Sequence, residues 1–282
     1  MIDLHSHTDE SDGTFTPAEL IAEAQRVGLS ALAITDHDTL RGYELAVPFA
    51  ADAKLELVCG IELSTRFGGM SVHLLGYFPC HPPKGDFRDW LAFLLESRRD
   101  RNRRLIDRLQ SLGVAITLEE VEKRGRSLTG RPHFARVLVE KGYANDIQDA
   151  FDKFLDESAK GYVQRHEVPI DEAIQRVADA GGVASLAHPV RVAKNDWTKL
   201  TEYVGKMAAM GMRAIEVYHS DHSPENVAFY LSLARRYGLT PTGGSDFHGV
   251  NKPNIALGTG QRGNLSVGGE ILEGLKKTAG GC

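Results

Sequence analysis

Apolar runs of strand length recur along this chain, and histidines and carboxylates sit where they end. The groups are His5-Ser6-His7 with Asp12 behind them, Asp36-His37, Glu62, His73, His188 and Asp246-Phe247-His248. Asp36 follows Ile34, Glu62 follows Ile61, His188 follows Leu186-Ala187, and Asp246 follows a short run at 240–244. Six of the 11 histidines are placed in this way. One His-x-His is weak evidence for a site, but repeated placement at strand ends requires a fold that brings those ends to one place.

A repeating strand–helix unit does this. The run Ala31-Leu32-Ala33-Ile34-Thr35 is continuously apolar up to its threonine, as expected of a parallel strand buried on both faces. Helices alternate with such runs. In the first, Thr16 is placed to cap, Pro17 takes the first turn, Leu20, Ile21, Ala24 and Val27 keep helical spacing, and Gly28 ends it. Repeated units of this kind imply a parallel sheet that closes into an α/β barrel. Functional groups then gather at the carboxyl ends of the strands.

The pattern breaks at Pro79-Cys80-His81-Pro82-Pro83. From Asp86 to Gln164 the chain reads as helical, with a long helix through Trp90–Leu112 and shorter ones near 117–124, 132–142 and 146–156. The expected organisation is a discontinuous barrel, 1–85 and 166–282, with an inserted helical subdomain at 86–165.

Composition excludes several classes. A formal net charge of −5 argues against a general nucleic-acid coat. Three cysteines without a CxxC spacing argue against a thiolate metal site. There is no run of 18 apolar residues and no recognisable signal peptide, so a cytoplasmic protein is expected.

Residues i and i+2 of a strand project to one side, so His5 and His7 can share an ion, as can Asp246 and His248. Imidazole with carboxylate suits Mn, Fe or Zn better than Mg or Ca. Nine donors (His5, His7, Asp12, His37, Glu62, His73, His188, Asp246, His248) exceed one ion and suit two or three, with Mn the first candidate. Such centres clamp the attacking and leaving oxygens in displacement at phosphorus. Arg131 and His133 open a helix and offer a fork and a helix terminus to an anion. His222, after a predicted strand, is a candidate substrate contact. Asp36 could orient an imidazole or act as an acid. The run Arg98 to Arg104 reads as a solvated helix face, and His81 and His166 as structural or exposed.

The motifs Asp3-Leu4-His5-Ser6-His7, Ser11-Asp12-Gly13, Ile34-Thr35-Asp36-His37-Asp38, Gly60-Ile61-Glu62, Ala187-His188-Pro189 and Gly244-Ser245-Asp246-Phe247-His248 resemble the PHP (polymerase and histidinol phosphatase) family. The resemblance implies a distorted (β/α)7 barrel with a trinuclear metal centre that hydrolyses phosphoesters. It implies His5, His7, Glu62 and Asp246 on one ion. Glu62 then bridges to a second ion with His73 and His188, and Asp12, His37 and His248 surround a third. Asp36 and His188 are the expected catalytic residues. Thr129-Gly130-Arg131-Pro132-His133 and the stretch Glu216 to Pro224 resemble the stand-alone bacterial branch. Its members remove the 3′-phosphate from nucleoside 3′,5′-bisphosphates, and some trim short RNAs from the 5′ end. A phosphatase of another small ester such as histidinol phosphate, or a non-catalytic metal-binding accessory module, is the alternative. A nucleotide, with short oligoribonucleotides beside it, is the expected partner; no membrane and no stable protein partner are implied.

Overall fold

The computed structural model describes residues 1–124, 129–164, 167–193 and 196–281. The barrel half opens with β1 (Ile2–Asp3), α1 (Pro17–Val27), β2 (Ala31–Ile34), α2 (Arg41–Ala53), β3 (Glu56–Phe67) and β4 (Met70–Phe78). Four helices follow: α3 (Asp86–Ser111), α4 (Leu118–Glu122), α5 (Arg131–Glu140) and α6 (Ile147–Ala150), the last running into a π-helical turn over Phe151–Leu155. The barrel resumes with β5 (Val168–Pro169), α7 (Ile170–Asp179), β6 (Val183–Leu186), α8 (Trp197–Ala209), β7 (Ala214–His219), α9 (Pro224–Tyr237) and β8 (Thr240–Gly244). A small β9–β10 ladder (Ile255–Ala256 with Gly260–Gln261) and α10 (Gly269–Thr278) complete the described chain.

Seven strands form a nearly closed sheet in the order β1-β2-β3-β4-β6-β7-β8, with β5 pairing off the path to β3. The ends meet where Leu4 N donates to Gly243 O at 3.1 Å and Ser6 pairs with Phe247. Gly244 makes this closure possible: a Cβ there would lie 2.2 Å from the His5 nitrogen. The buried Asp3 carboxylate fastens the seam, accepting from His5 N, Ser245 N and Gly258 N.

The strands are not all parallel, as the repeated strand–helix pattern predicts. β4 runs antiparallel to both β3 and β6. The cause is local: Gly68 and Gly69 lie at φ +55° and +80°, so β3 turns back after two residues with no helix between.

Period two sorts the side chains. Cys59, Ile61 and Leu63 of β3, with Leu74 of β4, Leu186 of β6 and Ile215 and Val217 of β7, pack in the layer that also holds Ile174, Val204 and Leu233 of α7, α8 and α9. Val58, Leu75, Tyr77, Val183 and Ala214 face the barrel interior. Glu62, His73 and Glu216 share the parity of that second set, which turns their side chains inward.

The first half of α3 contributes Phe87, Trp90, Leu91 and Leu94 to the barrel's apolar cluster. Its second half contributes Leu105, Ile106 and Leu109 to a separate cluster with Phe134 and Leu138 of α5 and Leu155. Among the described residues no helix is long and apolar enough to cross a membrane.

Candidate metal centre

All nine predicted donors converge at one end of the barrel. Glu62 is the hub. Its Oε1 lies 2.9 Å from His73 Nδ1 and 2.9 Å from His188 Nε2. Its Oε2 lies 3.4 Å from His5 Nε2, 3.2 Å from His7 Nε2 and 3.3 Å from His37 Nδ1. Asp12 stands between His248 Nε2, at 3.2 Å, and the rings of His7 and His37, each at 3.6 Å. Asp246 Oδ1 lies within 3.6 Å of His5, His7 and His248 nitrogens.

Glu62 and His73 differ from the strand-end expectation, since both lie within long strands. The β3–β4 hairpin extends past the rim, where His73 pairs opposite Ser64 and Glu62 pairs with His37. Because β4 is antiparallel, its beginning lies level with the ends of the parallel strands. The rim is also locally strained: Asp38, His188 and Asp246 have φ of +51°, +26° and +58°, in a region that non-glycine residues seldom occupy.

Two residues outside the nine complete the cluster. Glu216, wholly buried on β7, holds His5 Nδ1 at 2.8 Å through one oxygen. Its other oxygen accepts the His188 backbone N–H at 2.6 Å. Burial raises the Glu216 carboxyl, but the facing His5 and His219 outweigh it and hold it at about 2. His219 is the second: Nε2 lies 3.4 Å from Asp246 Oδ2, and with His5 and Asp246 it forms a compact donor group. An acid inside an otherwise apolar strand was the available signal for Glu216.

Asp36 does not touch an imidazole nitrogen at hydrogen-bond distance among the described residues. Its carboxylate accepts from Thr8 N (2.8 Å), Thr8 Oγ1 (2.7 Å) and Ser11 Oγ (2.5 Å), so it braces the loop that carries Asp12. Burial pushes its carboxyl up to about 6. His222 lies behind His219, with ring centroids 5.1 Å apart, and shares Nδ1 with Val217 O at 2.8 Å. It lines neither lobe of the cleft described below.

The donor set fits divalent ions. His5 Nε2, both ring nitrogens of His7, His37 Nδ1, His219 Nε2 and Asp12 Oδ1 are buried and make no hydrogen bond among the described residues. Leaving such atoms unsatisfied costs about 1–3 kcal/mol each, and cations at their meeting points would satisfy them together.

A two-lobed cleft opens over this cluster. The first lobe, about 210 Å³, runs from Asp12, His37 and His73 to Arg98, Arg101, Arg131 and His133. Arg98 and Arg101 therefore leave the solvated face expected of their charge run. Arg101 is buried, and Arg98 forms an ion pair with Asp38 across to the barrel. His133 Nδ1 accepts from Gly130 N at 3.1 Å, capping α5, and Arg131 Nη1 donates to Leu155 O at 3.2 Å. Of the remaining histidines, His81 is exposed and His166 lies outside the described residues.

Residues 3–106 match the PHP domain. Across 88% of the chain and 87% of the relative, the sequence is 32% identical to the 3′,5′-nucleoside bisphosphate phosphatase of Chromobacterium violaceum. The chain belongs to the PHP family. It is also 36% identical to the 5′-3′ exoribonuclease Rnm of Salmonella typhimurium, over 87% of this chain and 84% of that one. A solved structure from Bifidobacterium adolescentis, assigned as a metal-dependent phosphoesterase, superposes with a TM-score of 0.84 at 32% identity, covering 100% of this chain and 96% of that one. As a PHP member the protein is a metal-dependent hydrolase of phosphate esters.

Proposed function

We propose that this PHP hydrolase removes the 3′-phosphate from nucleoside 3′,5′-bisphosphates, such as adenosine 3′,5′-bisphosphate, leaving the 5′-mononucleotide. The observation that carries the reading is one lobe that joins the histidine–carboxylate cluster to Arg131 and His133. A substrate with one phosphate at each end spans that lobe.

The ligand partition is part of the proposal. His5, His7, Glu62 and Asp246 would hold one ion, with His219 close to the same set. Glu62, His73 and His188 would hold a second, and Asp12, His37 and His248 a third. Bound divalent ions of this kind, Mn foremost, lower the pKa of water and neutralise phosphoryl oxygens. The protein supplies position. Glu216 directs the His5 ring so that Nε2 faces Glu62 and Asp246, and Asp36 fixes the loop bearing Asp12. Arg131 keeps part of its fork for the 5′-phosphate after bonding Leu155. In the reaction, water oxygen bonds to the 3′-phosphorus, the P–O3′ bond breaks, and O3′ leaves as a hydroxyl after taking a proton.

The test compares adenosine 3′,5′-bisphosphate with adenosine 3′-monophosphate on Mn-loaded protein. The 5′-phosphate should raise kcat/KM at least about tenfold, worth about 1.4 kcal/mol, and Arg131→Ala should remove most of that advantage. Equal rates on both esters would sink the assignment of the first lobe.

A further inference from the structure

The metal donors and Arg131 meet phosphates, and neither offers a surface to a base. Among the described residues lining the first lobe, Phe151 is the one ring that is not an imidazole. It is half-buried: it packs against the apolar cluster of the inserted helices and borders the same lobe as His73 and Arg131. Trp197 and Phe229 stack on each other at 4.3 Å, whereas Phe151 has no ring against it among the described residues. The second lobe, about 310 Å³, is walled by Arg136, Arg191 and Lys252. Apart from the predicted ligand histidines, no aromatic ring lines it among the described residues.

Phe151 opens the π-helical turn, and that turn is tied to the arginine. Asp156 N donates to Phe151 O at 2.9 Å, five residues back instead of the four of an α-helix. The turn stops at Leu155, whose carbonyl has no helical donor, and Arg131 Nη1 supplies one at 3.2 Å. One short turn therefore holds the arginine assigned to the 5′-phosphate and carries the ring. In a nucleoside 5′-phosphate the base and that phosphate hang from one ribose, so both reach the same turn. No asparagine or glutamine lines the first lobe among the described residues. A base there meets a face and not a hydrogen-bonding edge, and every base has a π-face to stack.

We propose that Phe151 is the platform on which the substrate's base stacks, and that this ring sets the preference for nucleotides over sugar phosphates. This rests on the reading above that the 5′-phosphate occupies the first lobe. Arg131 and the metal centre hold the two phosphates, and the ring holds the base, so the ribose is fixed from three sides. A sugar bisphosphate without a base keeps the first two contacts and forfeits the third. The bond broken and the leaving oxygen are the same for both; only the platform separates them.

The test compares adenosine 3′,5′-bisphosphate with 1-deoxyribose 3,5-bisphosphate, which keeps both phosphates and lacks the base, on the full, Mn-loaded chain. The unsubstituted protein should favour the nucleotide in kcat/KM by about tenfold. Phe151→Leu, of similar bulk but without a π-face, should abolish that preference and leave the rate on the abasic ester unchanged. Phe151→Trp should keep the preference. A second readout needs no turnover: 2-aminopurine riboside 5′-monophosphate loses emission when its base stacks. Binding should quench it in the unsubstituted protein and in Phe151→Trp, and not in Phe151→Leu. A preference that survives in Phe151→Leu, equal losses on both esters in a folded Phe151→Leu chain, or an unquenched fluorophore bound to the unsubstituted protein overturns the platform. If Phe151→Leu does not fold, Phe151→Trp decides, and loss of the preference there with the abasic rate intact overturns it too. Phe151-dependent quenching by a protein that fails to hydrolyse the bisphosphate would instead overturn the proposed function and leave the platform standing.

Discussion

Glu216 joins two strands through one carboxylate, with His5 Nδ1 on one oxygen and the His188 backbone N–H on the other. Fixing the far nitrogen of a ligand ring sets its tautomer and aims its near nitrogen, and loss of such a partner typically costs 10–100-fold in metal affinity. Glu216→Gln should therefore weaken Mn binding by about 10–100-fold while the far-ultraviolet dichroism stays that of the parent protein. Competition with a metallochromic chelator reads this directly, and parental affinity would show that Glu216 merely fills space. At this scale the sequence was informative wherever a donor sits in a short motif such as His5-Ser6-His7 or Asp246-Phe247-His248. Glu216 and His219 are different. Their partners come from strands more than two hundred or nearly thirty residues away, and no local spacing encodes that. Arg98 and Arg101 likewise follow a charge run whose helical face is decided only by docking against Asp38.

The β3–β4 hairpin is the element that most alters the expected barrel. It places His73 at the rim through an antiparallel strand, and its tight turn depends on two consecutive positive φ angles at Gly68 and Gly69. A side chain in that conformation costs about 1–2 kcal/mol. Gly69→Val should lower stability by about that amount in urea titration, with unchanged m-value; no loss would show that the turn tolerates another geometry. The alternation of apolar runs with helical segments made the strand–helix units readable. The reversal at Gly68-Gly69 was written in the sequence as well, but two glycines between two apolar runs also suit an ordinary loop. The junction of α3 is subtler still. Trp90 and Leu109 belong to one helix yet to different apolar clusters, so one continuous element ties the barrel to the helices above the cleft. Truncating Trp90 to alanine should cost about 3–5 kcal/mol, in the range for buried large aromatics. A loss below 1 kcal/mol in the same titration would mean that α3 is not anchored to the barrel as described.

At the scale of the molecule, a barrel that gathers carboxylates and imidazoles at one rim is stabilised by whatever ions bind there. Ligand that binds only the folded state stabilises by RT ln(1 + [L]/Kd), about 2.7 kcal/mol at a hundredfold excess over Kd. Exhaustive chelation should therefore lower Tm by several degrees, and Mn should restore it; a Tm indifferent to both would contradict a centre built from those nine side chains. The central claim is narrower: the ester cleaved is the 3′-phosphate, held in place by a second phosphate in the first lobe. Phosphorus NMR of adenosine 3′,5′-bisphosphate incubated with the Mn-loaded protein tests it most directly. The account predicts loss of the 3′ resonance, growth of inorganic phosphate and an intact 5′-phosphate, all abolished by chelator. Loss of the 5′-phosphate instead, or a spectrum unchanged with metal present, would contradict it.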